Sequence, residues 1–163
     1  MKHRFSIAWF TEMPSPLGEI VLTATPAGLS GVYFRGQRWF PNDLGSGRRE
    51  AAPFTAAQTW LRAYFAGAFP RYDAPLDPHG TDFQRAVWQE LQNIPAGCTR
   101  TYGEIARAVG RPQAGRAVGA AIGRNPLSLI IPCHRVVGQN GSLTGYAGGL
   151  ERKEFLLRLE GVR

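Results

Sequence analysis

The chain has 163 residues, 44% of them apolar, with 4 Trp, 5 Tyr and 9 Phe, which is enough for a real core and too hydrophobic for a disordered segment. No apolar run approaches the roughly 18 residues of a membrane helix, and the broken patch Phe5 to Phe10 behind Lys2-His3-Arg4 is a poor secretory signal, so a soluble cytoplasmic protein is expected. The net charge of +7 is carried almost wholly by arginine, Lys2 and Lys153 being the only lysines.

Residues 4–11, 19–25 and 29–34 read as strands, separated by the turn chemistry of Ser15-Pro16-Leu17-Gly18 and Ala27-Gly28. A Gly-, Pro- and Arg-rich loop fills 35–53. Thr55 with Gln58 resembles a capping box, opening a helix that buries Leu61, Tyr64 and Phe65 and stops near Gly67. Pro70, Pro75, Pro78 and Gly80 then punctuate a linker. The expected organisation is a small α/β domain over 1–78 and a second domain over 79–163.

The second domain begins helical. Thr81 and Gln84 form another capping box, followed by Phe83, Val87, Leu91 and Ile94 at helical spacing with Trp88 beside them. Thr101 and Glu104 form a third box, heading a short helix that closes at Gly110. After Arg111-Pro112-Gln113, residues 114–123 form a third helix, and the last pair reads as a helix-turn-helix. That third helix is nearly bare: Gly115, Ala117, Gly119, Ala120, Ala121 and Gly123 leave Arg116 as the long side chain on it. Each Gly costs about 1 kcal/mol of helix propensity against Ala, and small residues permit close approach of another backbone, either a nucleic-acid strand or a packed helix. Between Leu91 and Leu150 six arginines face a lone Glu104. Such a cluster suits a polyanion, because guanidinium pairs bidentately with phosphate, but it also serves solubility.

Asn125-Pro126 ends the helix. Leu127 to Ile131 reads as a buried strand that delivers Pro132-Cys133-His134-Arg135 to a loop, Val136-Val137 continues it, and Asn140-Gly141 signals a hairpin turn. Gly145 to Gly149 is a loop open to close approach, and Leu150 to Glu160 is a last helix ended by Gly161. Two cysteines cannot make a disulfide framework or a cysteine-rich zinc site. Cys133 has a potential base beside it in His134, although in an extended segment the two side chains point apart and a water must bridge them. Cys98, in the turn after Pro95-Ala96-Gly97, reads as structural.

Ile131-Pro132-Cys133-His134-Arg135-Val136 resembles the active-site signature of the O6-alkylguanine-DNA alkyltransferases. The resemblance runs from Thr81 to Gly161 through Thr101-Tyr102-Gly103-Glu104-Ile105-Ala106, Arg116-Ala117-Val118-Gly119, Asn125-Pro126 and Gly145-Tyr146-Ala147-Gly148-Gly149. Over 1–80 it is thinner, resting on Ser15-Pro16-Leu17-Gly18 and Tyr64-Phe65-Ala66-Gly67. It implies a ribonuclease H-like N-terminal domain, then a winged helix-turn-helix domain carrying the acceptor cysteine. The implied activity is direct-reversal repair: an O6-alkylguanine, or an O4-alkylthymine, is flipped from duplex DNA and its alkyl group moved to Cys133, one per chain. By the same resemblance His134 activates Cys133 through water, Glu160 orients His134, Tyr102 donates to the leaving base, and Asn125 braces the turn. Arg116 fills the vacated stack, and Gly103, Ala114, Gly115 and Gly119 lie with Tyr102 against the minor groove. Val136, Tyr146, Ala147 and Gly148 line the base pocket, where the Cys133 and Val136 carbonyls accept from the exocyclic amine.

No cofactor and no metal are expected, since His3, His79 and Cys98 are too scattered for the structural zinc some relatives carry. A monomer is expected, with cooperative binding along DNA left open. Ala147 stands where some relatives have a hydroxyl, which leaves that hydrogen bond to backbone N–H groups and predicts tolerance of adducts larger than methyl. Two other classes fit parts of the sequence. A lesion-binding relative would lack the acceptor, against which Cys133 counts; a Cys-His hydrolase would need an oxyanion hole that adjacency in sequence does not supply.

Overall fold

The computed structural model describes residues 6–162. Arg4 and Phe5 of the first expected strand, and His3, lie outside them. The chain divides into two compact units, 1–79 and 80–163.

The first unit is a four-stranded sheet with one helix. Strands β1 (Trp9–Met13), β2 (Ile20–Thr25) and β3 (Gly28–Phe34) run antiparallel, and β4 (Arg48–Arg49) pairs parallel with β1, giving the order β3-β2-β1-β4. β2 is buried along almost its whole length, as a central strand should be. Helix α1 (Thr55–Phe65) buries Ala57, Leu61 and Tyr64, while Phe65 is only half-buried. The expected Thr55 capping box does not form. Pro53 starts a single 3-10 turn at Ala52–Phe54, so Thr55 already has helical φ/ψ, and its hydroxyl donates back to the Ala52 carbonyl. Nor is 75–77 a free linker: the Leu29 N–H donates to the Pro75 carbonyl and the Asp77 N–H to that of Leu29, which docks the segment on the edge of β3.

The second unit packs helices α2 (Asp82–Leu91), α3 (Tyr102–Ala108) and α4 (Gly115–Gly123) together, followed by α5 (Leu150–Leu159). Both expected capping boxes are present: Thr81 and Gln84 close one, Thr101 and Glu104 the other. The buried Trp88 indole donates to the Ala121 carbonyl at 2.7 Å, tying α2 to the last turn of α4. α3 ends in a Schellman motif, with Gly110 at φ 73° and bonds from Gly110 to Arg107 and from Arg111 to Ala106 that turn the chain toward α4. Strand β5 (Arg100–Thr101) pairs parallel with β6 (Val136–Val137). That short ladder brings the residue before Tyr102 beside the residues after Cys133.

Three expectations in this unit are corrected. Leu127 to Ile131 is a run of turns, not a strand: Ile131 N–H bonds to the Leu127 carbonyl, and Leu129 is left-handed at φ 74°. Asn140-Gly141 makes a tight turn within a 3-10 segment (Gln139–Gly141), but no strand follows it among the described residues, so there is no β-hairpin. Cys98 is exposed and has no structural packing role. Among the described residues no helix is long and apolar enough to cross a membrane, and no group of three metal-ligating side chains occurs.

Candidate active site

The segment leading to Cys133 is coiled rather than extended, so its backbone polar groups cannot be satisfied by a ladder. Asn125, almost fully buried, does part of that work: its Nδ2 donates to the Ile131 carbonyl at 2.8 Å and its Oδ1 accepts from the Leu127 N–H at 3.0 Å. The side chain thereby closes a six-residue loop that would otherwise rest on the strained Leu129 backbone, a conformation that costs on the order of 1–3 kcal/mol. Asn125 also lies near enough to the Cys133 thiol to pull its pKa down against the effect of burial.

Cys133, His134 and Arg135 form one buried 3-10 turn, so Cys133 and His134 are not on an extended segment as expected. His134 Nε2 lies 2.6 Å from Glu160 Oε2. Burial lowers the His134 pKa; Glu160 opposes the shift, and Arg135 and Lys153 add to it. The imidazole is therefore neutral at pH 7, its Nε2–H donates to the carboxylate, and the lone pair sits on Nδ1. A carboxylate at the C-cap of α5 meets an unfavourable helix dipole. Arg135 offsets this by donating Nε to Oε1 at 2.6 Å and an η nitrogen to Oε2 at 3.1 Å. Its other η nitrogen donates to the Ile94 carbonyl. The position of Glu160 is set by a second Schellman motif, in which Gly161 at φ 86° lets Val162 bond back to Leu157.

Burial raises the Cys133 pKa, while Asn125 and the Lys153 charge pull it down. The resting group is a thiol that must lose its proton on attack. Lys153 was not anticipated from sequence: fully buried, it donates to the carbonyls of Val136, Thr144 and Gly145. Arg135 was counted among the arginines of an open patch, yet it is buried on Glu160, and Arg100 pairs with Glu90. The exposed arginines among the six are Arg107, Arg111, Arg116 and Arg124.

The remaining candidates fall into two groups. Tyr102, half-buried at the start of α3, donates its hydroxyl to the Thr144 carbonyl at 3.0 Å. Tyr146 is close enough to Cys133 to feel its charge; its buried hydroxyl has no hydrogen-bond partner among the described residues, and burial raises its pKa well above 10. Val136 is fully buried, with its carbonyl already accepting from Lys153. The Gly148 carbonyl accepts from Arg152, and Ala147 is half-buried. On the other side Gly103, Gly115 and Arg116 are exposed, with Ala114 half-buried. A Cβ on Gly115 would meet nothing within 4 Å, and one on Gly119 would reach only the Tyr102 ring, at 3.9 Å. The glycines of α4 are thus not required by packing inside the unit.

Residues 82–162 match the DNA-binding domain of 6-O-methylguanine DNA methyltransferase, and residues 9–78 match its ribonuclease-like domain. The chain belongs to the 6-O-methylguanine DNA methyltransferase family. It is 47% identical to the methylated-DNA–protein-cysteine methyltransferase of Methanosarcina acetivorans, over 94% of this chain and 98% of the relative. It is 46% identical to the protein of that name from Mycolicibacterium paratuberculosis, over 93% and 91%. The crystal structure of Mycobacterium tuberculosis OGT in complex with DNA superposes with a TM-score of 0.87 at 43% identity, over 94% of this chain and 92% of that one. The enzyme class is methyl transfer from DNA to a protein cysteine, and its setting is DNA repair.

Proposed function

We propose that this protein binds duplex DNA through the minor groove, flips an O6-alkylguanine into the pocket beside Tyr146, and transfers the alkyl group to Cys133. The observation that carries this reading is the buried acceptor turn, in which Cys133 adjoins a neutral His134 held by Glu160 at 2.6 Å. Guanine O6 is out of reach inside the stack, so extrusion is required, at a cost of a few kcal/mol. Arg116, exposed on the bare α4, takes the vacated place, while Gly103, Ala114, Gly115 and Gly119 let the backbone approach the groove.

In the transfer, the Cys133 thiol proton passes through a water to His134 Nδ1, and sulfur attacks the alkyl carbon. The C–O6 bond breaks, its electron pair stays with guanine, and the base is neutralised by a proton relayed from Tyr102. For that step the Tyr102 hydroxyl turns from Thr144 to the base. The Cys133 carbonyl and the second lone pair of the Val136 carbonyl accept from the exocyclic amine. The product is a thioether with no hydrolytic exit, so each chain acts once. Residues 79–163 perform both recognition and transfer, and the protein works as a monomer without cofactor or metal. The same pocket takes O4-alkylthymine, and Ala147 leaves room for adducts larger than methyl.

The test is the intact mass of the protein after mixing with excess duplex carrying O6-methylguanine. The expected result is a gain of one methyl group on the wild type, saturating at one per chain, and none on Cys133→Ser. Tight lesion binding with no gain would make this a recognition protein instead.

A further inference from the structure

The loop that follows β3 is built to present two side chains. Gln37, itself buried, pegs it: its Oε1 accepts from the Phe34 N–H at 2.8 Å and its Nε2 donates to the Arg38 carbonyl at 3.2 Å. The Phe40 N–H donates to the Gln37 carbonyl, so Arg38 and Trp39 are the two central residues of a tight turn. Trp39 takes the second of those places with φ 63°, a left-handed backbone that suits Gly or Asn and is an outlier for a bulky residue. Its side chain is 46% exposed, the only large apolar one left open among the described residues of the first unit, and the Arg38 guanidinium lies 5.0 Å from the ring centroid. A position where the backbone favours Gly and the solvent favours a polar group carries tryptophan instead.

Two more arginines of the same unit are laid on rings: Arg35 on Phe40 at 5.6 Å and Arg49 on Phe10 at 5.2 Å. Such pairs occur about once per 70–80 residues, and here three fall between Phe10 and Arg49. Arg35 and Arg49 are held by carboxylates, both on Glu12 at 3.0 and 2.9 Å and Arg35 also on Glu19, whereas Arg38 makes no ion pair among the described residues. Over 35–49 four arginines stand against a lone Asp43. A partner protein would need several apolar side chains at the centre of the contact, and only Trp39 is offered. One open aromatic face next to an unpaired cation matches the two parts of a nucleotide, a flat base and an anionic phosphate. In a duplex both faces of each base are already stacked, so the strand that fits is a single one.

We propose that Trp39 and Arg38 form a second nucleic-acid contact, carried by the first unit and selective for unpaired strand: one base stacks on the Trp39 ring and an adjacent phosphate pairs with Arg38. The contact reads no sequence, because every base has a π-face, and it needs no lesion. It gives the protein a hold on single-stranded DNA beside the duplex binding assigned to the second unit.

The experiment uses the full chain and a fluorescein-labelled oligothymidine, titrated by anisotropy, with a lesion-free duplex of the same length in parallel. Trp39→Gly is expected to weaken oligothymidine binding roughly tenfold while unfolding at no lower urea concentration, because glycine relieves the left-handed turn. Trp39→Tyr should keep most of the affinity. Arg38→Gln should lower the slope of log affinity against log salt by about 0.7, the share of one phosphate on a single strand. Unchanged affinity in Trp39→Gly overturns the stack, and an equal loss on the duplex overturns the selectivity for unpaired strand. Polyglutamate is the counter-probe: a matching loss of its binding in Trp39→Gly would make this a surface for acidic peptides and overturn the nucleic-acid assignment.

If Trp39→Gly does not fold, tryptophan emission decides: oligothymidine must quench a share of it in the wild type that is missing in Trp39→Tyr, and equal quenching in the two overturns the stack. None of these measurements involves Cys133, so their failure leaves the alkyl-transfer reading standing, and the failure of that reading leaves them unaffected.

Discussion

The acceptor turn and helix α4 adjoin in the chain and are built on opposite terms. From Asn125 to Arg135 almost every residue is buried, and side chains from elsewhere satisfy the polar groups there: Glu160 takes His134 and Arg135, and Lys153 takes the carbonyls just beyond. Helix α4 is the reverse, with Gly115 open to solvent, Gly119 only lightly packed and Arg116 exposed. One region spends its sequence on fixing a nucleophile within an ångström; the other gives up helix propensity so that something outside can come close. Changes in the first should therefore cost stability and chemistry together, and changes in the second should separate them.

The largest effect should come from Glu160→Gln, which leaves the buried Arg135 guanidinium without its counter-charge. A loss of about 3–5 kcal/mol is expected from urea unfolding, with methyl transfer abolished. The comparison sharpens with a second variant, Glu160→Leu combined with Arg135→Met. An apolar pair of similar volume should recover much of the stability and none of the transfer. If transfer recovered along with the fold, Glu160 would be a packing residue only.

How much of this was visible in the sequence depends on the distance over which each bond acts. The Thr81–Gln84 and Thr101–Glu104 boxes are complete within four residues, and both formed. Thr55 and Gln58 have the same spacing and failed, because the 3-10 turn from Pro53 had already placed Thr55 inside the helical run. Leu127 to Ile131 was correctly placed in the interior and wrongly made a strand: apolar composition reports burial, and what coils the segment is the Asn125 side chain. The ties from Arg135 and Lys153 span 25 and 17 residues and leave no local pattern, so Arg135 was misread as surface and Lys153 was missed. Glu160 entered only through the family resemblance, since a carboxylate at a helix C-terminus has no local reason to be there.

A smaller effect, again confined to the acceptor turn, is the acid limb of stability. The folded His134 pKa is lowered, so between that value and the unfolded value near 6.5 the unfolded chain binds more protons. Stability then rises with pH across that window and is lost as pH falls through it, by at most about 1.4 kcal/mol per pH unit for one proton. Urea midpoints measured from near neutral pH downward should show this slope, and His134→Asn should flatten it. A slope unchanged in His134→Asn would mean that the acid limb belongs to other groups.

The smallest change in stability, and the one that tests α4 most directly, is Gly119→Ala. The residue is helical and its φ is not in the left-handed region; a methyl there would stand 3.9 Å from the Tyr102 ring, an ordinary contact. Replacing Gly by Ala inside a helix gains about 0.5–1 kcal/mol, partly by restricting the unfolded chain. The variant should therefore unfold at higher urea than the wild type. If α4 is bare for the sake of a DNA backbone, the same methyl group should weaken duplex binding and slow repair from duplex, while reaction of Cys133 with the free base O6-benzylguanine is unchanged. A more stable protein with poorer DNA binding and an intact acceptor would separate the two regions by a single carbon atom. Equal DNA affinity in the two proteins would mean that the glycines of α4 are not there for the duplex.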